Sequence, residues 1–572
     1  MFLAALTFAC LLPFSGRAFH VDDPLFVWAG EQIAHSPGNP YGFEVIWDYT
    51  RVRMADVTQN PPLASYYIAA VGSQAGFSER PLHLAFLVFA ILLVAGVYRL
   101  AQNFTKYPLL AAIATLVTPG VLVSASSVMC DTMMLAFWVW ALVFWVEGLE
   151  PERASCLVLS ALLMSAAFLT KYFAAALIVL IAIYSLARLR RVGRWAMYLA
   201  IPVASIYAYQ HWSAVMYGQG LVTRAGIFSQ GMRAYIDASW AARGIMVLGF
   251  TGGCTVTVFF FAPLVWPRLK VFAALAAGAL LAAAILSGWV RIGRTMGGEG
   301  VLQPWKDYAP LLGLQWSLYI AGGLAVLGLV ISEGIRGYDV ARGVSSKKLT
   351  KKAARNLWEE SRAKIAVSAL LGLWILGTLV FAGFVNWTVN ARSVLPLIPP
   401  AGILLARQFE LRFPVLTRQP MILAAIALSV SGIFSLWVAA SDAALANTAR
   451  TVATRVRKMT EQEGPLYFEG HWGFQYYLEQ LGGEPLDLKH PQAKPGDQIA
   501  IPFNNVWTAN TPPYTVTSEQ NIFIPVHTGV TTIGWPLGAG FYSSYWGPMP
   551  FGMGPQPMQG ARVFRVGEKK GQ

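Results

Sequence analysis

The sequence predicts a polytopic α-helical membrane protein of about 13 transmembrane helices, followed by a small C-terminal α/β domain outside the bilayer. Three observations carry that expectation. The 572 residues are 56% hydrophobic and only 13% charged, against about 25% charged in an ordinary soluble domain. Apolar runs of about 20 residues, the length a helix needs to cross a bilayer, recur from the N-terminus to residue 440. Beyond 440 the composition turns to that of a soluble unit, in which helix-like and strand-like stretches alternate.

The expected spans are 1–19, 82–101, 108–125, 131–147, 156–170, 172–187, 195–214, 246–265, 271–290, 309–331, 365–385, 393–407 and 421–440. Lys and Arg in short loops collect on the cytoplasmic side, which sets the orientation. With the N-terminus inside, the cytoplasmic loops hold RLRRVGR (188–194), WPRLK (266–270), the basic stretch 332–364 and the arginines of 407–420. Merging 156–187 into one helix would put RLRRVGR outside, so two spans are expected there. The first loop, 20–81, and everything after 440 then face the exterior. The net charge of +14 follows from this bias, with anionic headgroups of membrane lipids as its counter-surface, and requires no nucleic acid. Met1 opens almost directly into an apolar run that has no Ala-x-Ala site, so a true first span is expected rather than a cleaved signal. Cys10, Cys130, Cys156 and Cys254 lie in or beside spans and suit neither a disulfide framework nor a zinc motif.

Three exterior segments are too long to be connectors. The loop 20–81 is rich in aromatics, Asn and Pro; 215–245 contains RAGIFSQGMRAYIDASW, the pattern of an amphipathic helix lying at the interface. The third, 291–308 (RIGRTMGGEGVLQPWKDY), has the glycines of a movable loop. The chain therefore divides into a membrane module, 1–440, and an exterior domain, 441–572. In the latter, DAALANTARTVATRVRKM reads as a helix, PLYFEG (465–470) as a strand, GFQYYLEQLGG (473–483) as a helix stopped by glycine and DQIAIPF (497–503) as a strand. The Gly-, Pro- and aromatic-rich run 534–557 has no period and is expected to be an irregular loop resting on the bilayer surface.

Residues able to carry chemistry collect on the exterior side. Asp22 and Asp23 sit where the first span meets the exterior. The plain reading is an interfacial turn before Pro24; the functional one is a partly desolvated carboxylate acting as general base for a hydroxyl acceptor. Asp131, in SSVMCDTMM, opens the fourth span. It suits a helix N-cap, but an ionisable group at membrane depth is also a functional hypothesis by default. Lys171 breaks a long apolar stretch on the same side, where snorkelling is the plain reading. Exterior loops should be poor in cations, yet Arg51, Arg53, Arg224, Arg233, Arg291, Arg294, Lys306 and Arg392 all face outward. Each alone suits a solvated loop; the set points to an anionic partner such as a lipid phosphate.

The motifs HVDDPLF, NPPL (60–63), VMCDTMM, TKY (170–172) and NARSVLPLIPP (390–400) follow one another in order. Over most of 1–440 the chain thereby resembles the GT-C membrane glycosyltransferases, in the bacterial branch of protein O-mannosyltransferases and aminoarabinose–lipid A transferases. FEGHWGFQYYLEQLGG (468–483) is similar to a segment of bacterial members. The resemblance implies a GT-C catalytic module in a bacterial inner membrane, N-terminus cytoplasmic and C-terminal domain periplasmic. It implies inverting transfer of a hexosyl or pentosyl group from a polyprenyl-phosphate sugar donor to a lipid, glycan or protein acceptor. By that pattern Asp22 or Asp23 is the base, with Asp22 favoured. Asp131 supports the acceptor or, in some members, a divalent metal, for which Asp131 and Asp23 are the candidates. Lys171, Arg291, Arg294 and Arg392 bind the donor phosphate, and Arg51, Arg53 and Asn60 belong to the first loop on the acceptor side. Asp23 replaces the more usual Glu, Asn60 a His or Lys, and Ser393 a Tyr, departures that bear on the acceptor. Two other classes remain open: a transporter with Asp131 and Lys171 as a coupling pair, and a non-catalytic subunit of an envelope complex. The candidates fall at span ends rather than mid-span and no inverted repeat is visible, which weighs against the transporter.

Overall fold

A computed structural model describes residues 1–47, 49–296, 298–299, 309–345, 351–461, 464–505, 508 and 514–569. Among these, eight helices are long and apolar enough to cross a membrane, and up to ten if two bent pairs each count as one span. The eight are Glu79–Ala101, Cys130–Leu149, Tyr172–Leu189, Arg268–Leu286, Ala309–Asp339, Ser361–Val385, Ala391–Arg412 and Arg418–Thr460. The bent pairs are Pro108–Leu116 with Pro119–Ala125 (62°) and Trp240–Cys254 with Val256–Val265 (81°).

All the expected spans fall on helices, but three of them do not meet that criterion. The first helix stops early: Phe2–Leu11 passes into a 3₁₀ turn at Leu12–Phe14, around Pro13, and the following residues run inward with Arg17 buried. Ala154–Thr170 is short, and the 195–214 region is split into Trp195–Tyr198 and Ala200–Tyr217. The basic stretch 332–364 is also not a simple loop, since the helices Ala309–Ser345 and Lys351–Val380 extend into it from both sides.

Small residues let spans approach closely, as is usual between helices in lipid. A Cβ on Gly252 would lie 1.8 Å from the Tyr319 carbonyl oxygen, and one on Gly323 2.2 Å from that of Leu248. The helices 240–254 and 309–345 thus meet backbone to backbone. Gly252→Ala is expected to destabilise the protein by about 1–3 kcal/mol, the usual cost of overpacking, seen as a lower unfolding temperature in detergent.

The first long loop, 20–81, folds into the helix Asp23–His35, the hairpin Glu44–Trp47/Thr50–Arg53, the turn Met54–Val57 and the helix Leu63–Ala75. The amphipathic segment forms the helix Leu221–Ile236, with only its two end residues buried. Most of the glycine-rich loop, including Lys306, lies outside the described residues.

Helix Arg418–Thr460 runs unbroken through residue 440, so the span-rich part of the chain and its C-terminal unit share one element. A mixed five-stranded sheet follows, in the order Glu484–Pro485, Leu466–Phe468, Gln498–Pro502, Gln559–Lys569, Tyr514–Ile524. Helix Trp472–Gln480 packs on the long helix. The run 534–557 is irregular, as expected, but it does not rest on the bilayer surface. Phe541, Tyr542, Trp546, Met549 and Phe551 are buried in the same core as the spans. Phe551 meets Tyr319 at 5.0 Å and Phe434 at 5.7 Å between ring centroids, filling the space between helices 309–345 and 418–460. The aromatics of the run expected on the bilayer surface are a plug.

Candidate active site

The site is assembled from helix ends. Val21 is held at φ +50°, an uncommon conformation for a β-branched residue, and the turn it makes sends the neighbouring carboxylates to different partners. Asp23 is fully buried and accepts the N–H of His20 (2.9 Å) and of Val128 (3.0 Å). It ties the first loop to the turn that precedes helix Cys130–Leu149. Burial pushes its carboxyl up to about 6 and the His20 imidazole down to about 4, so His20 is neutral at pH 7.

Asp22 takes the other direction. Its Oδ2 accepts from Arg392 Nη1 at 2.5 Å, while Arg392 Nε donates to Asp131 Oδ2 at 2.8 Å and Lys171 Nζ pairs with Asp131 Oδ1. The result is an alternating cluster, Lys171–Asp131–Arg392–Asp22, with two cations and two carboxylates. Side-chain exposure rises in both directions from Asp131 (1%), to 19% at Lys171 and through 10% at Arg392 to 31% at Asp22.

Each member is set by local structure. Asp131 occupies the first turn of its helix, where the dipole favours a carboxylate. Lys171 is the C-cap of Ala154–Thr170. Arg392 stands in a helical first turn, where a cation runs against the dipole, so its two carboxylate partners are needed to hold it. Its backbone is fixed by a capping box: the Asn390 side chain accepts from Ser393 N (2.7 Å) and Ser393 Oγ accepts from Asn390 N (3.3 Å). Ser393 is thereby a cap residue. The loop before it is laced to the C-terminal plug, through Ala391 N to Phe541 O (2.8 Å) and Ser544 N to Val389 O (2.8 Å). Arg243, 5% exposed, donates Nε to Gly383 O (2.5 Å) and Nη2 to Asn386 O (2.6 Å), closing the helix end that feeds this loop.

A cavity of about 1010 Å³ opens beside the cluster, lined by Asp22, Lys171 and Arg392 but not by Asp131. Between the helices Tyr172–Leu189 and Ser361–Val385 its wall is apolar, with Trp138, Phe173, Leu180, Leu373, Trp374 and Phe381. Towards the first long loop and the C-terminal run it is aromatic and polar, with Asn60, Trp47, Tyr49, Ser229, Tyr545 and Trp546. The charged cluster stands where the two parts join.

Of the residues expected at the site, Asp22, Asp131, Lys171 and Arg392 come together, and Asn60 lines the cavity with its carbonyl accepting from Tyr41 Oη at 2.9 Å. Arg51, Arg53, Arg291 and Arg294 do not line it. Arg53 and Arg224 both pair with Asp56, Arg291 pairs with Asp237, and Arg233 Nη1 donates to Phe384 O at 2.6 Å. The Arg294 guanidinium lies 4.8 Å over the Tyr235 ring. Arg51 is exposed in the hairpin. The arginines expected to face outward are thus engaged largely by the protein itself. The two carboxylates expected to hold a metal do not fit one: both Asp131 oxygens face cations and both Asp23 oxygens accept backbone N–H groups. No group of three or more His, Cys, Asp or Glu residues suited to a metal ion occurs among the described residues.

Sequence reasoning missed Arg17, Arg243, Asp442 and Tyr542. Arg17 carried a usable signal, as an arginine inside a stretch read as a span.

Fold and site define a multi-pass membrane protein with a charged cluster at the mouth of an apolar groove. Residues 59–213 match the family model described as dolichyl-phosphate-mannose-protein mannosyltransferase. That segment holds Asn60, Asp131 and Lys171, together with the NPPL, VMCDTMM and TKY motifs, and excludes Asp22 and Arg392. No curated protein matches the chain. Among solved structures it is similar to ArnT from Cupriavidus metallidurans bound to undecaprenyl phosphate, with 15% identity, a TM-score of 0.43 and coverage of 88% of this chain and 92% of that one. The same protein in the apo state gives 15% identity and a TM-score of 0.41, over 87% and 92%. The archaeal oligosaccharyltransferase AglB from Archaeoglobus fulgidus, in complex with an inhibitory peptide and a dolichol-phosphate, gives 14% and 0.40, over 86% of this chain and 60% of that one.

Proposed function

We propose that the protein is an integral-membrane glycosyltransferase that moves a sugar, with inversion, from a polyprenyl-phosphate donor to an acceptor hydroxyl of a lipid, glycan or protein. The face is the periplasmic one of a bacterial inner membrane, with the N-terminus cytoplasmic and the C-terminal unit periplasmic. One observation carries the reading: Lys171 and Arg392 converge at the end of an apolar groove, with Asp22 beside them facing the same cavity. The match of 59–213 to a family named for a dolichyl-phosphate sugar donor supports the donor class.

In this reading the isoprenoid chain lies between helices Tyr172–Leu189 and Ser361–Val385, and the phosphate meets the two cations. The anomeric carbon then falls on the exterior side, near Asp22. As the acceptor oxygen attacks that carbon, Asp22 takes its proton. The bond to the phosphate oxygen breaks and the lipid phosphate leaves with the electron pair, its charge stabilised by Lys171 and Arg392 in a partly desolvated site. Asp131 holds both cations without touching substrate.

The test is transfer of radiolabel from a panel of hexosyl and pentosyl polyprenyl phosphates by the purified protein in detergent, with a membrane extract as acceptor source. Label in a new product, lost in Asp22→Asn, is the expected result; no transfer from any donor by folded protein would overturn the reading in favour of a transporter or a non-catalytic membrane subunit. Because Asp131 and Asp23 are both committed to other partners, a chelator is expected to change the rate less than about twofold in the same assay.

A further inference from the structure

The proposed donor site, on which this inference rests, contains a conflict. With Nε given to Asp131, a phosphate held bidentately by Arg392 takes the Nη1–Nη2 edge, where Asp22 already accepts from Nη1 at 2.5 Å. Asp131 is no competitor: it is 1% exposed, lies outside the cavity lining and has an oxygen on each cation. Asp22 is the exposed member, and its backbone is fixed between Val21 at φ +50° and Pro24 at the helix start. Only its side chain needs to turn.

We propose that Asp22 is a latch as well as a base: with no donor bound it occupies Arg392, and the lipid phosphate displaces it, freeing the carboxylate for the acceptor. The exchange conserves charge. A sugar–phosphate–lipid is a phosphodiester with one negative charge, which replaces one carboxylate on Arg392 and leaves the cluster balanced. The base is thereby released only when the donor is seated, so binding is ordered, donor first. Asp131 is a positioning residue that keeps Lys171 and Arg392 in register throughout.

The test is binding of farnesyl phosphate, used as its methyl diester so that it carries the donor's single charge, to the full-length protein in detergent, by titration calorimetry, with farnesol as the uncharged control. Asp22→Asn removes the competing anion at nearly constant shape and is expected to bind the diester about fivefold more tightly than wild type, with farnesol unchanged. Asp22→Ser, read in the same way, guards against a folding defect peculiar to the amide. Asp131→Asn, which loosens both cations, is expected to bind at least about tenfold more weakly. Unchanged or weaker binding by both Asp22 variants, with wild type binding normally, overturns the latch; a merely structural role of Asp22 would also give that result. Failure of wild type to prefer the diester over farnesol instead overturns the donor site itself.

Discussion

Asp22→Asn is expected to lower the rate of sugar transfer by about 10²–10⁴-fold, the range over which a positioned general base contributes, while leaving the fold intact. Asparagine keeps the size of the side chain and can still accept from Arg392, but it cannot take the acceptor's proton. Asp23→Asn should behave differently although it is the adjacent residue. Asp23 has both oxygens on backbone N–H groups, and an amide can replace only one of them. The expected loss is in stability, about 1–3 kcal/mol for a buried group left unsatisfied, with the rate of the folded fraction reduced much less. Rate per folded molecule, with unfolding temperature measured in parallel, separates the two. Equal rate losses in both variants would show that the pair acts as one unit and would remove Asp22 from its special role.

Much of this was legible in the sequence, for physical reasons that differ residue by residue. The helices could be located because hydrophobic runs are a local property, and each run ends where Pro, Gly or charge ends it. Asp22, Asp131 and Lys171 stood out because each is a charge where a bilayer disfavours one. Their joining could not be read: Arg392 lies 370 residues from Asp22 and 261 from Asp131, and only the packing of the helices that carry them brings them together. The exterior arginines misled for the opposite reason. Arg53 has its acid three residues away, at Asp56, a pairing open to inspection, whereas Arg291 finds Asp237 only after the chain has crossed back. Counting cations without first subtracting such partners overstated the anion site. The 534–557 run misled because Gly, Pro and aromatic residues suit both an interfacial loop and an irregular plug, and composition alone does not distinguish them.

The largest stability effect is expected away from the cavity, at Arg17 and Asp442. Both side chains have no exposure, with Arg17 Nη2 2.8 Å from Asp442 Oδ2. Arg17 Nη1 also donates to Ser126 O at 2.9 Å, and Tyr542 Oη and Thr532 Oγ1 both donate to the carboxylate. One ion pair therefore joins the chain leaving the first helix, the turn before Asp131, the long helix and the C-terminal plug. A buried pair adds little net stability over a well-packed apolar pair, but breaking it strands a charge. Asp442→Asn is thus expected to destabilise the protein by about 3–5 kcal/mol, measured by thermal unfolding in detergent. Arg17→Met alone should do the same, whereas Arg17→Met combined with Asp442→Leu should lose clearly less than the sum. Because Arg17 sits five residues before Asp22, the single variants should also lower transfer in the fraction that remains folded, and the double variant should recover part of it. Strictly additive losses would mean that the two residues do not act as a pair, and that the first segment and the long helix are held together by packing alone.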